Sequence, residues 1–231
     1  MPIRTDWDIE VTVDDALRGQ GANAEIIRKR SPKIVDTTER ALSTALPLLQ
    51  PVVIYKELEV TGLRHDKLLL SDGGSLSGKL IATHLGAAQR VTLVVCTVSE
   101  AISWLASKEM QENMLYGLAL DGIGSAAVEV LANDVCAWLE TKSDALGWKT
   151  SIPLSPGVEG WPLDEGQPQI FKSLVGESNA VLLTESFLME PVKSLSFVVG
   201  MGKDLQPHGT TCDLCGLQHT CQYKKHDAPN V

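Results

Sequence analysis

Basic charge is scarce in this chain. Lys and Arg number 20 against 29 Asp and Glu, a net charge of −9, and no basic block runs longer than Arg28-Lys29-Arg30. A surface that neutralises phosphates needs more than this, which argues against nucleic acid as a partner. Long apolar runs are lacking as well. None approaches the roughly 18 to 20 residues of a membrane span, and the opening MPIRTDWDIE has no charged-then-apolar secretory profile. These absences predict a cytoplasmic protein without a membrane partner. There is no Ser-His-Asp order, no HExxH and no glycine-rich loop set between a strand and a helix, so the common hydrolase, zinc-protease and dinucleotide signatures are all missing. A disulfide framework is also unsupported. The five cysteines are an odd count and three crowd into one tail, a pattern that suits a metal or redox site in a reducing compartment.

What is present is a chain of 231 residues, 44% of them hydrophobic, enough to bury a core in one large or two small domains. Val13 to Lys29 is amphipathic but interrupted by Gly19 and Gly21, and Val35 to Leu49 carries apolar residues at helical spacing up to Pro51. Both predict helices. Pro51 to Val60, Lys67 to Leu70 ahead of the turn SDGG, and the β-branched run Arg90 to Val98 predict strands, the last buried on both faces with Cys96 as plain core. Leu76 to Ala88 reads as a helix between them. From Ser99, placed to cap, to about Leu146 the apolar spacing predicts two helices or one bent one, and Gly122 and Gly124 allow a bend or close packing. A short helix from about Gln167 to Val175 and strands at Ala180 to Thr184 and Leu195 to Val199 complete an α+β reading.

Three places hold candidate chemistry. The stretch SPGVEGWPLDEGQPQIF, Ser155 to Phe171, packs three prolines, three glycines and a tryptophan into a run without period. Pro156-Gly157 reads as a tight turn, Gly160 lets the backbone pass close to something, and Trp161 either walls a site or plugs a core edge. On the central helix Asp121 and Glu129 share a face with Ser125 between them, able to do acid–base or cation work or simply to face solvent. In the tail, Cys212, Cys215 and Cys221 are spaced C-x2-C-x5-C with His208, His219 and His226 nearby. Three thiolates fill three positions of a metal site, with a histidine as the fourth ligand of zinc, or hold an iron–sulfur cluster. The expected division is a domain of residues 1–205 and a Cys-rich tail of residues 206–231.

Several of these segments together resemble a known family. The long helix with Asp121 and Glu129, then SPGVEGWPLDEGQPQIFKSL, then LLTESFLMEPVKSLSFVVGMG, is similar to the C-terminal activation domain of cobalamin-dependent methionine synthase, particularly its stand-alone relatives in anaerobes. The resemblance covers about Arg90 to Lys203 and only loosely the part before it. It implies a curved mixed or antiparallel sheet with long central helices. It also implies S-adenosylmethionine lying against Ser155, Pro156, Gly157, Val158 and Trp161, with Ser194 and Ser196 beside it and Asp121 near the site.

The implied role is reductive reactivation, in which one electron and a methyl group from S-adenosylmethionine turn an inactive Co(II) corrinoid into methyl-Co(III). Cobalamin would sit on a partner, a corrinoid-binding methyltransferase protein, because no D-x-H-x-x-G signature occurs here. The electron would come from a donor such as ferredoxin or flavodoxin, through or beside the cysteine tail. That reductive role favours an iron–sulfur cluster there, with zinc as the alternative. Two positions depart from the family pattern: Pro153 stands where it has an Arg for the ligand carboxylate, and Val158 where it has an aromatic. Losing that charge-assisted bond removes ~1.5 to 3 kcal/mol unless Lys149 or Lys193 substitutes. The departures also leave open a non-catalytic corrinoid-protein partner or cobalamin-handling module with a decayed S-adenosylmethionine site. A metal-binding protein with an unrelated substrate is the third reading.

Overall fold

The computed structural model describes residues 3–174, 179–206 and 209–214. Its centre is strand β5 (Arg90–Thr97), where every residue from Val91 onward is buried, as a strand covered on both faces requires. On one side β5 pairs with β2 (Val52–Arg64), from Val52↔Thr97 to Glu59↔Arg90. On the other it pairs with β9 (Ser194–Gly202), from Arg90↔Met201 to Thr97↔Ser194. Past β5 the long β2 shifts register between Val60 and Gly62, a bulge that bends it toward β3 (Lys67–Leu70) and then β4 (Ser75–Ser77). β1 (Ile3–Arg4) pairs with the start of β2, and β6 (Lys149–Thr150) with the end of β9. The order is β4-β3-β2-β5-β9-β6 and every pairing is antiparallel, in a sheet that curls into a half-barrel. A separate ribbon joins β7 (Leu182–Leu183) to β8 (Met189–Glu190).

Alternation along the strands sorts the core into layers. Leu93, Val95 and Val198 face α4 (Lys79–Leu85), α7 (Leu163–Leu174) and Trp161. On the opposite face Val94, Cys96, Phe197 and Val199 meet Ala127, Leu131, Val135 and Leu139 of α6 (Met114–Asp144). The first half of α6 lies in a third cluster with α1 (Val13–Gly19), α3 (Pro32–Ala45) and α5 (Ala101–Glu112). By length and composition α6 is apolar enough to cross a membrane, its richest 18-residue window having a mean hydropathy of 1.4. Packing against two cores accounts for that apolarity, since 56% of the window is buried.

The expected break in the central helical region falls at Asn113, whose Oδ1 accepts the Tyr116 N–H at 3.3 Å and starts α6. Gly122 and Gly124 lie inside an unbroken helix, so their role is close packing. The predicted helix at Leu76 likewise begins only at Lys79, because Leu76 is taken by β4. The first predicted helix is divided at its glycines, with α2 (Ala24–Arg30) following a turn where Gly21 has φ +74°.

A methyl on Gly19 would stand 2.0 Å from the Gly122 carbonyl oxygen, a backbone atom that cannot move aside. Gly19→Ala is therefore expected to lower stability by about 1–3 kcal/mol, while Gly62→Ala, with nothing within 4 Å, changes it by under ~0.5 kcal/mol. Thermal denaturation of both variants checks this, and equal shifts would refute it.

The small strands are fastened to α7 by Lys56, which donates to Asp72 at 3.3 Å and to the Ser173 carbonyl at 2.9 Å. Burial alone would raise the Asp72 carboxyl, but the Gly74 N–H at 2.9 Å and the Lys56 ammonium outweigh it and hold the carboxyl below its ordinary value. A depressed folded-state value means stability present above the unfolded carboxylate range and lost as pH falls through the folded value. Asp72→Asn should flatten the acid limb of a stability–pH profile without adding a basic one.

Candidate functional site

Leu154 is the last residue to pair with the outer edge of β9. Its N–H donates to the Val198 carbonyl and its carbonyl accepts the Val198 N–H, each at 2.9 Å, and the Ser151 N–H reaches the Gly200 carbonyl in the same way. One step further the pairing must fail, because Pro156 has no N–H to donate. The chain peels away here. The Gly157 N–H turns back to the Trp161 carbonyl at 2.9 Å and the Trp161 N–H to the Val158 carbonyl at 3.1 Å, so the loop closes on itself. Both turn glycines have positive φ, +100° at Gly157 and +85° at Gly160, where other residues are strained. The Gly160 carbonyl is taken by the Leu80 N–H at the start of α4.

Trp161 is wholly buried and its indole N–H donates to Gln169 Oε1 at 3.4 Å. It shapes the loop from below, with no face left to line an open site. Gly166 in the first turns of α7 completes the fit, since a Cβ there would lie 2.8 Å from both Pro156 and Trp161. Sequence reasoning placed no role on Gly166, Gln167 or Gln169. The helix expected from about Gln167 begins at Leu163, directly after Pro162, and that earlier start turns these residues toward the loop.

The peeling exposes an edge. Val198 and Gly200 direct their main-chain groups outward, and the same parity puts those of Ser194 and Ser196 on this side, where no backbone partner meets them among the described residues. Their hydroxyls are committed elsewhere, Ser196 to Gln167 Oε1 at 2.9 Å and Ser194 to the Pro191 carbonyl at 2.6 Å. What the two serines present is thus an open strand edge beside Pro156 and Gly157. Such an edge can hold a planar group that both donates and accepts, as an added strand does.

Asp121 lies on α6, across β9 from the two serine hydroxyls. It pairs with Lys193 at 2.7 Å, and the same ammonium donates to Ser125 Oγ at 2.9 Å. Gly124 makes this possible, because a Cβ there would stand 3.1 and 3.2 Å from the lysine stem. The pair is asymmetric in exposure, 10% for the Lys193 side chain and 43% for Asp121. Asp121→Asn is expected to cost about 1–2 kcal/mol, less than a fully buried pair because Asp121 is partly solvated. Lys193→Met, which removes the buried charge and keeps the stem, should stay within about 1 kcal/mol of the wild type. Urea unfolding of the two variants tests that order. Glu129 takes no part in the pair, and desolvation pushes its carboxyl above the ordinary value. Lys149 pairs with Gly202 at the far end of β9, so of the two lysines only Lys193 flanks the open edge.

Cys215 and Cys221 lie outside the described residues, as does the side chain of Cys212. Among the described residues no group of three or more His, Cys, Asp or Glu is arranged to hold a metal.

Neither a family model nor a curated protein matches the sequence. Among solved structures the chain is similar to the MetH reactivation domain bound to AdoHcy, with a TM-score of 0.64 and 12% identity, covering 90% of this chain and 81% of that one. At that identity the likeness is one of fold, and the fold is the reactivation-domain arrangement of an antiparallel half-barrel and long helices.

Proposed function

We propose that this chain binds S-adenosylmethionine along the open edge of β9 and supplies its methyl group to a corrinoid carried by a separate methyltransferase protein. The observation that supports this best is the conjunction of the fold with the site: a chain similar over 90% of its length to a domain bound to AdoHcy has a strand edge at Ser194 and Ser196, unpaired among the described residues, beside the preshaped Pro156-Gly157 turn. Residues Ser155, Pro156, Gly157 and Val158 would lie along one side of the nucleoside and the β9 main chain along the other. The purine's donor and acceptor atoms suit such an edge.

In the reaction the partner's cobalt takes up one electron from a reductant of the ferredoxin or flavodoxin class. The sulfonium carbon–sulfur bond then breaks, the methyl group passes to cobalt, and the electron pair of that bond stays on sulfur as S-adenosylhomocysteine. An iron–sulfur cluster held by Cys212, Cys215 and Cys221 would supply the electron relay, and zinc at the same thiolates would only pin the tail. Pro153 favours a second reading, because proline offers no cation at the position where the resembled family has an Arg for the ligand carboxylate: a non-catalytic partner of a corrinoid protein.

Calorimetric titration with S-adenosylmethionine and S-adenosylhomocysteine separates the two. Saturable binding of either is expected. Absence of heat with both overturns the proposal and leaves the non-catalytic reading.

A further inference from the structure

We infer that Lys193 and Asp121 together form a clamp for the amino-acid end of the ligand, with Lys193 taking the carboxylate and Asp121 the ammonium; the clamp rests on the nucleoside site proposed above. An ammonium has three N–H donors. The Lys193 ammonium donates to Ser125 Oγ at 2.9 Å and forms an ion pair with Asp121 at 2.7 Å, and no further acceptor meets it among the described residues. Nine-tenths of this side chain is out of solvent, so water is poorly placed to supply one. Asp121 is in the complementary state: one oxygen is on Lys193, the other has no partner among the described residues, and 43% of the side chain is exposed. A cation short of an acceptor thus stands beside an anion short of a donor. The group that satisfies both at once is a zwitterion, whose carboxylate and ammonium are held two bonds apart on one carbon.

The location fits the nucleoside edge. Lys193 directly precedes β9, three residues from Ser196, a span of roughly 10 Å at strand rise, comparable with the length from a purine to an amino-acid tail through a ribose. The side chain is held there from both ends. Its stem lies in the notch left by Gly124, and its backbone carbonyl accepts the Val98 N–H and the Thr97 hydroxyl, each at 3.2 Å. The fold therefore sets a buried cation at the end of the open edge, on a chain whose position 153 is proline.

The test is a ligand series on the whole chain by calorimetry at fixed salt: S-adenosylmethionine, decarboxylated S-adenosylmethionine, which keeps the amine and sulfonium but has no carboxylate, and 5′-methylthioadenosine, which has neither end group. In the wild type, loss of the carboxylate should weaken binding about 10- to 100-fold, even though the decarboxylated ligand carries one more positive charge toward an acidic protein. Lys193→Met should bring S-adenosylmethionine down to the affinity of the decarboxylated form and leave the other two ligands within about threefold. Lys193→Arg should recover most of the difference. Equal wild-type affinities for S-adenosylmethionine and either truncated ligand overturn the clamp and leave the nucleoside site standing. A variant that weakens all three alike also overturns it. Failure of the wild type to bind any of the three overturns the nucleoside site and the clamp together. The wild-type comparison decides the matter if Lys193→Met does not fold.

Discussion

Valine at position 157 is expected to abolish S-adenosylmethionine binding, lowering affinity by about 100-fold or more, while far-UV circular dichroism stays as in the wild type. Space is not the obstacle, since a Cβ there would meet only Leu163 side-chain atoms at 3.6 and 3.9 Å. The obstacle is φ of +100°, which a β-branched residue reaches at a cost of roughly 1–3 kcal/mol. The loop can relieve that strain by turning the peptide next to residue 157, which gives up the bond from its N–H to the Trp161 carbonyl and moves the wall of the open edge. A decade of affinity is about 1.4 kcal/mol, so the strain together with a displaced wall accounts for the expected loss. Calorimetry on the variant checks it, and unchanged affinity would remove this loop from the site.

Trp161→Ala should be the most damaging single change to stability, at about 3–5 kcal/mol. Trp161 is the largest of the fully buried side chains, and it fills the space among the β4–α4 junction at Gly78, the first turns of α7 at Gly166 and the core beneath β9. No neighbour can collapse into a space bounded by three elements whose backbones are each fastened elsewhere. For a chain of this size the midpoint of thermal unfolding should fall by about 6–20 °C, and Trp161→Phe by well under half of that. A Trp161→Ala variant that melts within a degree or two of the wild type would show that the loop is carried by its hydrogen bonds alone.

The parts of this architecture that could be read from sequence are those whose signal is local. β5 was legible because burial on both faces makes it a continuous β-branched run, and α3 and α6 because one or two apolar stripes recur at helical spacing. β7 lies inside the strand expected at Ala180 to Thr184, but β6 and β8, two residues each, carried no such signal. They exist because a partner strand holds them in register, and no pattern in two residues announces that. The break between α5 and α6 was expected somewhere in the central helical region, but the apolar spacing continues through it, and only the cap at Asn113 fixes its position. At the candidate site the Pro156-Gly157 turn was visible from its residue types, as was Asp121 from its helix face. Lys193 was legible only as one of two lysines able to serve a ligand carboxylate; that it pairs with Asp121, 72 positions upstream on another element, and lies in the notch at Gly124 depends on packing. Trp161 shows the same limit from the other side. An aromatic in an irregular loop is equally consistent with a ligand wall and a core plug, and only the covering elements decide between them.

Helix α6 has a mechanical consequence. At about 46 Å by its rise per residue it is a single rod with one end set in the helical layer and the other in the sheet, and Asp121 lies near the junction. Neither layer can swing relative to the other without bending that rod or uncovering Ile123 or Leu131. The two layers are therefore tied through one helix, the same helix that carries Asp121. Placement of that carboxylate thus depends on the seating of the whole helix, down to Val135 and Leu139 at its distant end, as well as on Lys193.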